Sequence, residues 1–364
     1  MRILFYIGHP AHYHNISHVA PMLEKEGHQI LLAARNKDVV LDLLENVRLK
    51  KVIVAHTEGG EGKISKAWAI FKREFAMLKV ILSFRPQLMA GTDIVITHLG
   101  KLFGIPSVII NEDDAPEVPL FAKLGMKYAT CMLSPLSCNV HPYENKNITY
   151  PGYQELAYLH PNYFKPDREK IKQLFNNCER YFIIRFAKLT AHHDAGKTGI
   201  TKQLAHEMIN ILSPQGKVYI TSERELEPEF EQYRIKIHPC DMHHAMYFAD
   251  LYIGDSQTMA AEAAVLGTPS IRFNDFVGRL GYLEELEHKY GLTFGIKTNE
   301  PEKLLGKVKE LSLLTGLKNE WQKRKQFMLE NSVDVARLWV WFFANYPQSA
   351  NDLKSNPEKI QQFI

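Results

Sequence analysis

One pattern recurs along this chain: a short, wholly apolar run followed by a segment whose apolar residues return at helical spacing. Residues 3–7 are apolar without interruption and end at Gly8. Ile16, Val19, Ala20 and Leu23 then stand at i, i+3, i+4 and i+7, one face of a helix that Gly27 closes. A strand with one wet face alternates apolar and polar residues. A strand apolar throughout must be covered on both sides, and a parallel sheet with crossover helices provides that cover. Further strands are expected at 30–33, 52–54, 94–97, 108–110 and 129–133, with a helix through Val39, Val40, Leu43 and Leu44. From 138 to 166 the rhythm breaks over Pro142, Pro151, Gly152, Pro161 and Pro166, which reads as an interdomain connection. It resumes with strands at 181–184, 218–221, 235–237, 251–253 and 270–273, and a helix over 200–212. The expectation is an α/β chain of two doubly wound, Rossmann-like domains, 1–150 and 151–330, facing a central cleft. A helical tail, 331–364, aromatic-rich over 336–346, is expected to pack across the domains.

The 364 residues suit two domains, and 45% hydrophobic against 23% charged residues excludes wholesale disorder. A net charge of +3 gives nucleic acid no claim as the main partner. No apolar run approaches the roughly 18 residues of a membrane span, and the apolar start is too short for a signal peptide. Cys131, Cys138, Cys178 and Cys240 lack C-x-x-C spacing and read as reduced thiols, so a cytoplasmic protein is expected.

In open parallel sheets ligands bind beyond the carboxyl ends of the strands, and the polar motifs all stand there. The first is Gly8-His9-Pro10-Ala11-His12-Tyr13-His14. His12 at a helix start suits a general base, with His9 and His14 lining the cleft; plain helix capping is the bland alternative. Metal is set aside because no Cys or carboxylate stands at ligand spacing and Pro10 interrupts the run. The second is Asn111-Glu112-Asp113-Asp114. Mutual repulsion should raise at least one of these carboxyls, which suits Asp113 as a base and Glu112 as a cleft residue; an N-cap cluster for the helix near Leu120 is equally consistent. The third runs from Arg185, a phosphate ligand by type, to His193 and Asp194. The Gly196-Lys197-Thr198 that follows lacks the earlier glycine of a P-loop, so that motif is rejected. The fourth, Thr221-Ser222-Glu223-Arg224, suits a ribose or base contact, or only a helix start. The fifth is the most specific: Gly254-Asp255-Ser256-Gln257-Thr258, an Ala-rich helix carrying Glu262, then Gly267-Thr268-Pro269. Small side chains let a diphosphate approach the helix N-terminus, with Ser256, Gln257 and Thr258 around it and Glu262 within reach of ribose hydroxyls. A lone carboxylate in an apolar helix is costly as mere packing.

That fifth motif resembles the nucleotide-binding element of GT-B glycosyltransferases and of non-hydrolysing UDP-N-acetylglucosamine 2-epimerases. The stretch from Gly8 to His28 resembles the first strand-turn-helix of the lipid-II-forming N-acetylglucosaminyltransferase, though without its double glycine. Ala261 stands where the epimerase helix carries the first of its paired acids. A closer resemblance is to the prokaryotic domain of unknown function 354. It rests on His9-Pro10-Ala11-His12, Ala34-Arg35-Asn36-Lys37-Asp38, Tyr153–Leu159, Arg185 with His193-Asp194, Ser222-Glu223 and Thr258–Pro269. These resemblances imply a GT-B fold. They lead to the expectation of a metal-independent glycosyltransferase that uses a nucleotide-diphospho-sugar, UDP-linked, as substrate and needs no cofactor. Its acceptor would be a surface polysaccharide or lipid-linked. A UDP-N-acetylglucosamine 2-epimerase or a silent nucleotide-sugar binder are the alternatives. Lys63, Lys66, Lys72, Arg73, Lys79 and Arg85, interleaved with Trp68, Ile70, Phe71, Phe75, Leu78, Ile81, Leu82 and Phe84, form a basic amphipathic helix that ends before Pro86. Contact with an anionic membrane surface is one use for it; packing on the sheet is the other.

Overall fold

The computed structural model describes residues 1–37, 39–45, 47–55, 63–175, 179–187 and 199–364, with the backbone alone at 55 and 63–67. The chain forms two compact units, Met1–Tyr163 with Asn331–Ile364, and Phe164–Glu330.

The first unit is a seven-stranded sheet of β1 (Arg2–Ile7), β2 (Gln29–Arg35), β3 (Lys50–Ala55), β4 (Leu88–Gly91), β5 (Ser107–Ile110), β6 (Cys131–Pro135) and β7 (Asn147–Tyr150), ordered β3-β2-β1-β4-β5-β6-β7. Its pairings are all parallel. The second unit is a five-stranded sheet of β8 (Tyr181–Phe186), β9 (Lys217–Ser222), β10 (Leu251–Gly254), β11 (Ser270–Phe273) and β12 (Thr293–Ile296), ordered β12-β11-β10-β8-β9, again wholly parallel. Residues 3–7 of β1 are buried, as are all of β4, β5, β6, β10 and β11, which is why no alternation shows in their sequences.

Two expected strands are not strands. Residues 94–97 open the helix Ile94–Phe103, because the Asp93 side chain accepts the Val95 amide at its start and Gly104, at φ +65°, ends it. The β-branched Ile-Val-Ile-Thr run reads as strand by type, but the strand of that unit is β4, just before it. Residues 235–237 lie beyond a single bridge between Ile220 and Arg234. Strands β4, β7 and β12 are not among the expected ones.

The stretch 138–166 is mostly part of the first unit rather than a linker. It contains β7, and Tyr153, Leu156, Ala157 and Leu159 are buried. The chain leaves this unit after Tyr163, and Asn331–Ile364 returns to it. Asp334 begins that return. It caps the helix Val335–Ala344 through the Arg337 amide and accepts hydrogen bonds from Asn162 and Tyr163, each at 2.9 Å. Trp339, Phe342 and Phe343 of that helix are fully buried, with Phe343 edge-on to Phe5 of β1. At roughly 1.5–3 kcal/mol for each large apolar side chain, the tail is a substantial part of the first unit's core.

The helix Lys63–Phe84 puts Met77 and Ile81 into the first unit's core. Its other face leaves Trp68, Phe71, Phe75 and Leu82 each more than half exposed, with Lys72 over Trp68 and Lys79 over Phe75. Among the described residues no helix is long and apolar enough to cross a membrane.

Candidate functional site

In the first sheet the strand order reverses between β1 and β4, and in the second between β8 and β10. These switch points are where open α/β sheets take ligands.

At the first switch point β1 ends in Gly8. His9 caps the short helix Pro10–Ile16, its Nδ1 accepting from the Ala11 amide at 3.3 Å. His12 turns its Nδ1 back onto the Gly8 amide, also at 3.3 Å. Burial, with the positive charges of His9, Lys37 and Arg35, lowers the His12 pKa to about 3. His12 is therefore neutral at physiological pH and, with Nδ1 accepting, carries its proton on Nε2. In that tautomer Nε2 is a donor. His14 stacks on Tyr158. From the end of β4, Asp93 reaches the same place: a Cβ on Gly8 would lie 3.6 Å from both Asp93 Oδ2 and His12 Nδ1. Arg73 of the long helix pairs with Asp93 at 3.2 Å. The sequence reading missed Asp93, and its signal was only Gly91-Thr92-Asp93 after an unrecognised strand.

The acidic run follows β5. Asp114 is buried and accepts the Asn139 amide, tying two loops together. Asp113 is half-buried, and its carbonyl accepts from Asn111 Nδ2 at 2.8 Å. None of the run caps the helix Pro119–Leu124; Val118 holds that position without a side-chain bond. Glu112 is the carboxyl whose pKa rises well above the ordinary range, chiefly through burial and then through the negative charge of Glu155. Glu155 is buried and was not singled out as a site residue.

At the second switch point Arg185 on β8 is in register with Gly254 on β10, which is in register with Arg272 on β11. Glycine is required at 254, because a Cβ there would lie 2.5 Å from the Tyr252 hydroxyl and 2.8 Å from Arg185 Cβ. Arg185 donates to Thr221 Oγ1 at 2.9 Å and pairs with Glu223. Ser222 closes its own turn: its Oγ donates to the Arg224 carbonyl and accepts the Arg224 amide. No helix begins there; the next element is the short turn of helix Pro228–Tyr233. Asp255 is buried and accepts the amides of Ala187 at 2.6 Å and Ile200 at 3.1 Å. Burial pushes its carboxyl up to about 6, against the pull of those amides. Ser256 caps the helix Gln257–Leu266 through the Met259 amide, leaving Gln257 and Thr258 half-buried on its first turn. Glu262 is buried and meets His243 Nε2 at 3.0 Å. A partner from the helix Met242–Phe248 thus meets much of the burial cost that pointed to a ligand. His193 and Asp194 lie outside the described residues.

Among the described residues one group has metal-ligand spacing, Glu284, Glu287 and His288, and it lies in none of the expected histidine clusters. The fully buried Arg272 already pairs with both of its carboxylates.

The family model described as protein of unknown function (DUF354) matches residues 1–277. The chain belongs to the DUF354 family. Among curated proteins none matches the sequence. A protein described as a UDP-N-acetylglucosamine 2-epimerase from Listeria monocytogenes is similar in structure at TM-score 0.67 and 14% identity, over 98% of this chain and 97% of that one. The UDP-GlcNAc 2-epimerase of Neisseria meningitidis, bound to UDP-GlcNAc, is similar at 0.56 and 13%, over 91% and 99%. The spinosyn rhamnosyltransferase SpnG, complexed with thymidine diphosphate, is similar at 0.59 and 13%, over 92% and 98%. Likeness at such identities is likeness of fold, and this DUF354 protein has the GT-B fold shared by glycosyltransferases and these epimerases.

Proposed function

We propose that this DUF354 protein is a GT-B glycosyltransferase. It takes a sugar from a nucleotide-diphospho-sugar, UDP-linked, and passes it to a surface-polysaccharide or lipid-linked acceptor in the cytoplasm. The observation that carries the reading is the carboxyl edge of the second sheet at its switch point. Arg185 and Gly254 stand there in register, beside a ten-residue helix capped by Ser256. Free amides of the helix's first turn and a guanidinium suit the two phosphates. In this reading Ser256, Gln257 and Thr258 meet the diphosphate and Glu262, oriented by His243, takes the ribose. Ser222 and Glu223 flank the nucleoside.

Transfer leaves a nucleoside diphosphate, whose charge the Arg185 guanidinium and the helix dipole would stabilise without a metal ion. The first unit would hold the acceptor. Asp113 or His12 takes up the acceptor's proton, with Glu112, His9 and His14 lining the site. The exposed face of Trp68, Phe71, Phe75 and Leu82, with Lys72 and Lys79, suits weak docking on the anionic inner surface of a membrane.

A second reading, a UDP-N-acetylglucosamine 2-epimerase, is favoured by the likeness at TM-score 0.67. Incubation with UDP-N-acetylglucosamine alone separates the two. A transferase gives at most slow hydrolysis until an acceptor is added, whereas an epimerase equilibrates the sugar unaided. If UDP fails to bind at all, both readings fall.

A further inference from the structure

The first sheet has a second concave place, at the edge opposite its switch point. Three stretches of chain meet there on their way into strands. The helix Ile94–Phe103 ends at Gly104 and leads into β5; a single turn of helix, Met126–Tyr128, leads through Thr130 into β6; Lys146 leads into β7. Between them, at the amino ends of the three strands, lies a cleft of about 410 Å³. A Cβ on Gly104 would meet nothing within 4 Å, so that side stands open. Lys101, Lys127 and Lys146 line the cleft, and no carboxylate does. The three are held close together. The ammonium groups of Lys101 and Lys127 lie 4.7 and 5.7 Å from the centre of one ring, that of Tyr128, and Lys146 donates to the Lys127 carbonyl at 2.5 Å. Lys101 stands in the last turn of its helix, where a positive charge suits the negative end of the dipole. That accounts for one lysine; the other two come from other elements. Glu144, the acid nearest Lys146 in sequence, is taken by His141 at 2.9 Å. Among the described residues none of the three lysines pairs with a carboxylate. Burial, and then the charges of Lys101 and Lys354, lowers the Lys146 pKa. The cleft thus gathers like charges that repel one another, with no acid to offset them.

We propose that this cleft is a second binding site of the first unit, for a small phosphorylated ligand whose phosphate or pyrophosphate group sits among Lys101, Lys127 and Lys146. A lysine ammonium meets phosphate oxygens as a point charge and needs no fixed fork geometry, which suits three lysines approaching from different elements. A group carrying two or more negative charges offsets three cations where a carboxylate would leave most of the repulsion in place. The volume is that of a pocket for a small molecule rather than for a bare ion. The proposal does not depend on the functional reading above. Switch-point ligands sit beyond the carboxyl ends of the strands, and this cleft lies at the amino ends, so its ligand does not compete directly with theirs. One ten-residue helix joins the two places in the first unit: Asp93 caps its start at the switch point, and Lys101 stands in its last turn at the cleft.

The test is trace acetylation of the full-length protein at low ionic strength, read lysine by lysine by mass spectrometry, with inorganic pyrophosphate added in rising concentration. An anion seated in the cleft holds the three amines protonated and covered. Lys101, Lys127 and Lys146 should each slow by about tenfold at saturation, the effect of raising an amine pKa by one. Lys72 and Lys79, exposed on the helix Lys63–Phe84, should keep their rates. Because the readout is resolved by residue, pyrophosphate bound at the second switch point does not enter it. A double variant, Lys101→Gln with Lys146→Gln, checked for fold by circular dichroism, should leave Lys127 unprotected. Rates at the three lysines that pyrophosphate does not change overturn the proposal. Equal slowing at Lys72 and Lys79 also overturns it, because that is screening of the whole surface, and so does protection of Lys127 that survives in the double variant. Phosphatidylglycerol vesicles form the other arm: if they slow the three lysines and pyrophosphate does not, the cleft meets a lipid surface and the small-ligand proposal falls.

Discussion

Asp255 offers a measurement that joins the local motif to the energetics of the second unit. Its carboxylate is 2% exposed and satisfies two backbone amides, Ala187 and Ile200, that stand on either side of residues 188–198. The folded pKa, about 6 against an ordinary 3.8, means that the native state holds this proton more tightly than the unfolded chain does. By linkage, native stability should then fall as pH rises from about 4 to 6 and level off above. At about 1.4 kcal/mol per pH unit, the full drop is about 3 kcal/mol. Asp255→Asn removes the titration. It keeps one acceptor but turns an amide donor toward the other N–H, costing about 1–3 kcal/mol. The variant should therefore be clearly less stable than the native protein at pH 4.5 and close to it at pH 7.5. Urea melts of both proteins at half-unit pH steps, followed by circular dichroism, read the difference; taking the difference cancels other titrating groups. A stability gap that stays constant to within about 0.5 kcal/mol across that range would refute the burial argument, because the gap must close as the buried charge forms.

Other outcomes follow from the same geometry. His12 should stay neutral with its proton on Nε2 down to about pH 3, and its lowered pKa makes it a source of stability that is full above pH 6.5 and lost as pH falls toward 3; 15N chemical shifts showing an imidazolium at pH 5.5 would contradict this. Glu262→Ala should weaken UDP binding by about 1–3 kcal/mol, and calorimetry on the folded variant giving native affinity would remove Glu262 from the nucleotide site. Gly254→Ala should destabilise by about 1–3 kcal/mol, because the new methyl meets the Tyr252 hydroxyl and Arg185 Cβ, and an unchanged melt would mean the edge of β10 yields more easily than a packed core. Lys72→Glu with Lys79→Glu should abolish sedimentation with phosphatidylglycerol vesicles at low salt; equal pelleting, or none by the native protein, ends the membrane reading.

The architecture was legible because its signal is local. Apolar runs such as 3–7 and 251–253, and caps such as Ser256 and Gly267, depend on neighbours in sequence. The reading failed where local preference and tertiary demand disagree. Ile94-Val95-Ile96-Thr97 has strand chemistry, yet the Asp93 cap and the packing of Val95, Ile96 and Leu99 against the sheet make it a helix. β7 and β12 are four residues each, and Asn147 and Gly295 within them speak against a strand when read alone. The Pro-rich stretch looked like a linker because proline and glycine mark turns wherever they stand, and nothing in composition tells a turn inside a domain from one between domains.

The candidate site divides along the same line. Switch-point residues could be named in advance, since a strand end followed by a polar turn is visible in the sequence. Their chemistry could not. Which nitrogen of His12 carries its proton depends on the atom its Nδ1 meets, and that atom is the Gly8 amide, brought there by the turn itself. Whether Glu262 is a costly lone carboxylate depends on His243, which sits on another helix. Repulsion within 111–114 is the smaller part of what raises the Glu112 carboxyl: burial leads, and Glu155, far along the chain, outweighs Asp113. Charges interact through space with little regard for sequence separation, so the groups that set a site's proton chemistry are the part of it a linear reading is least equipped to find.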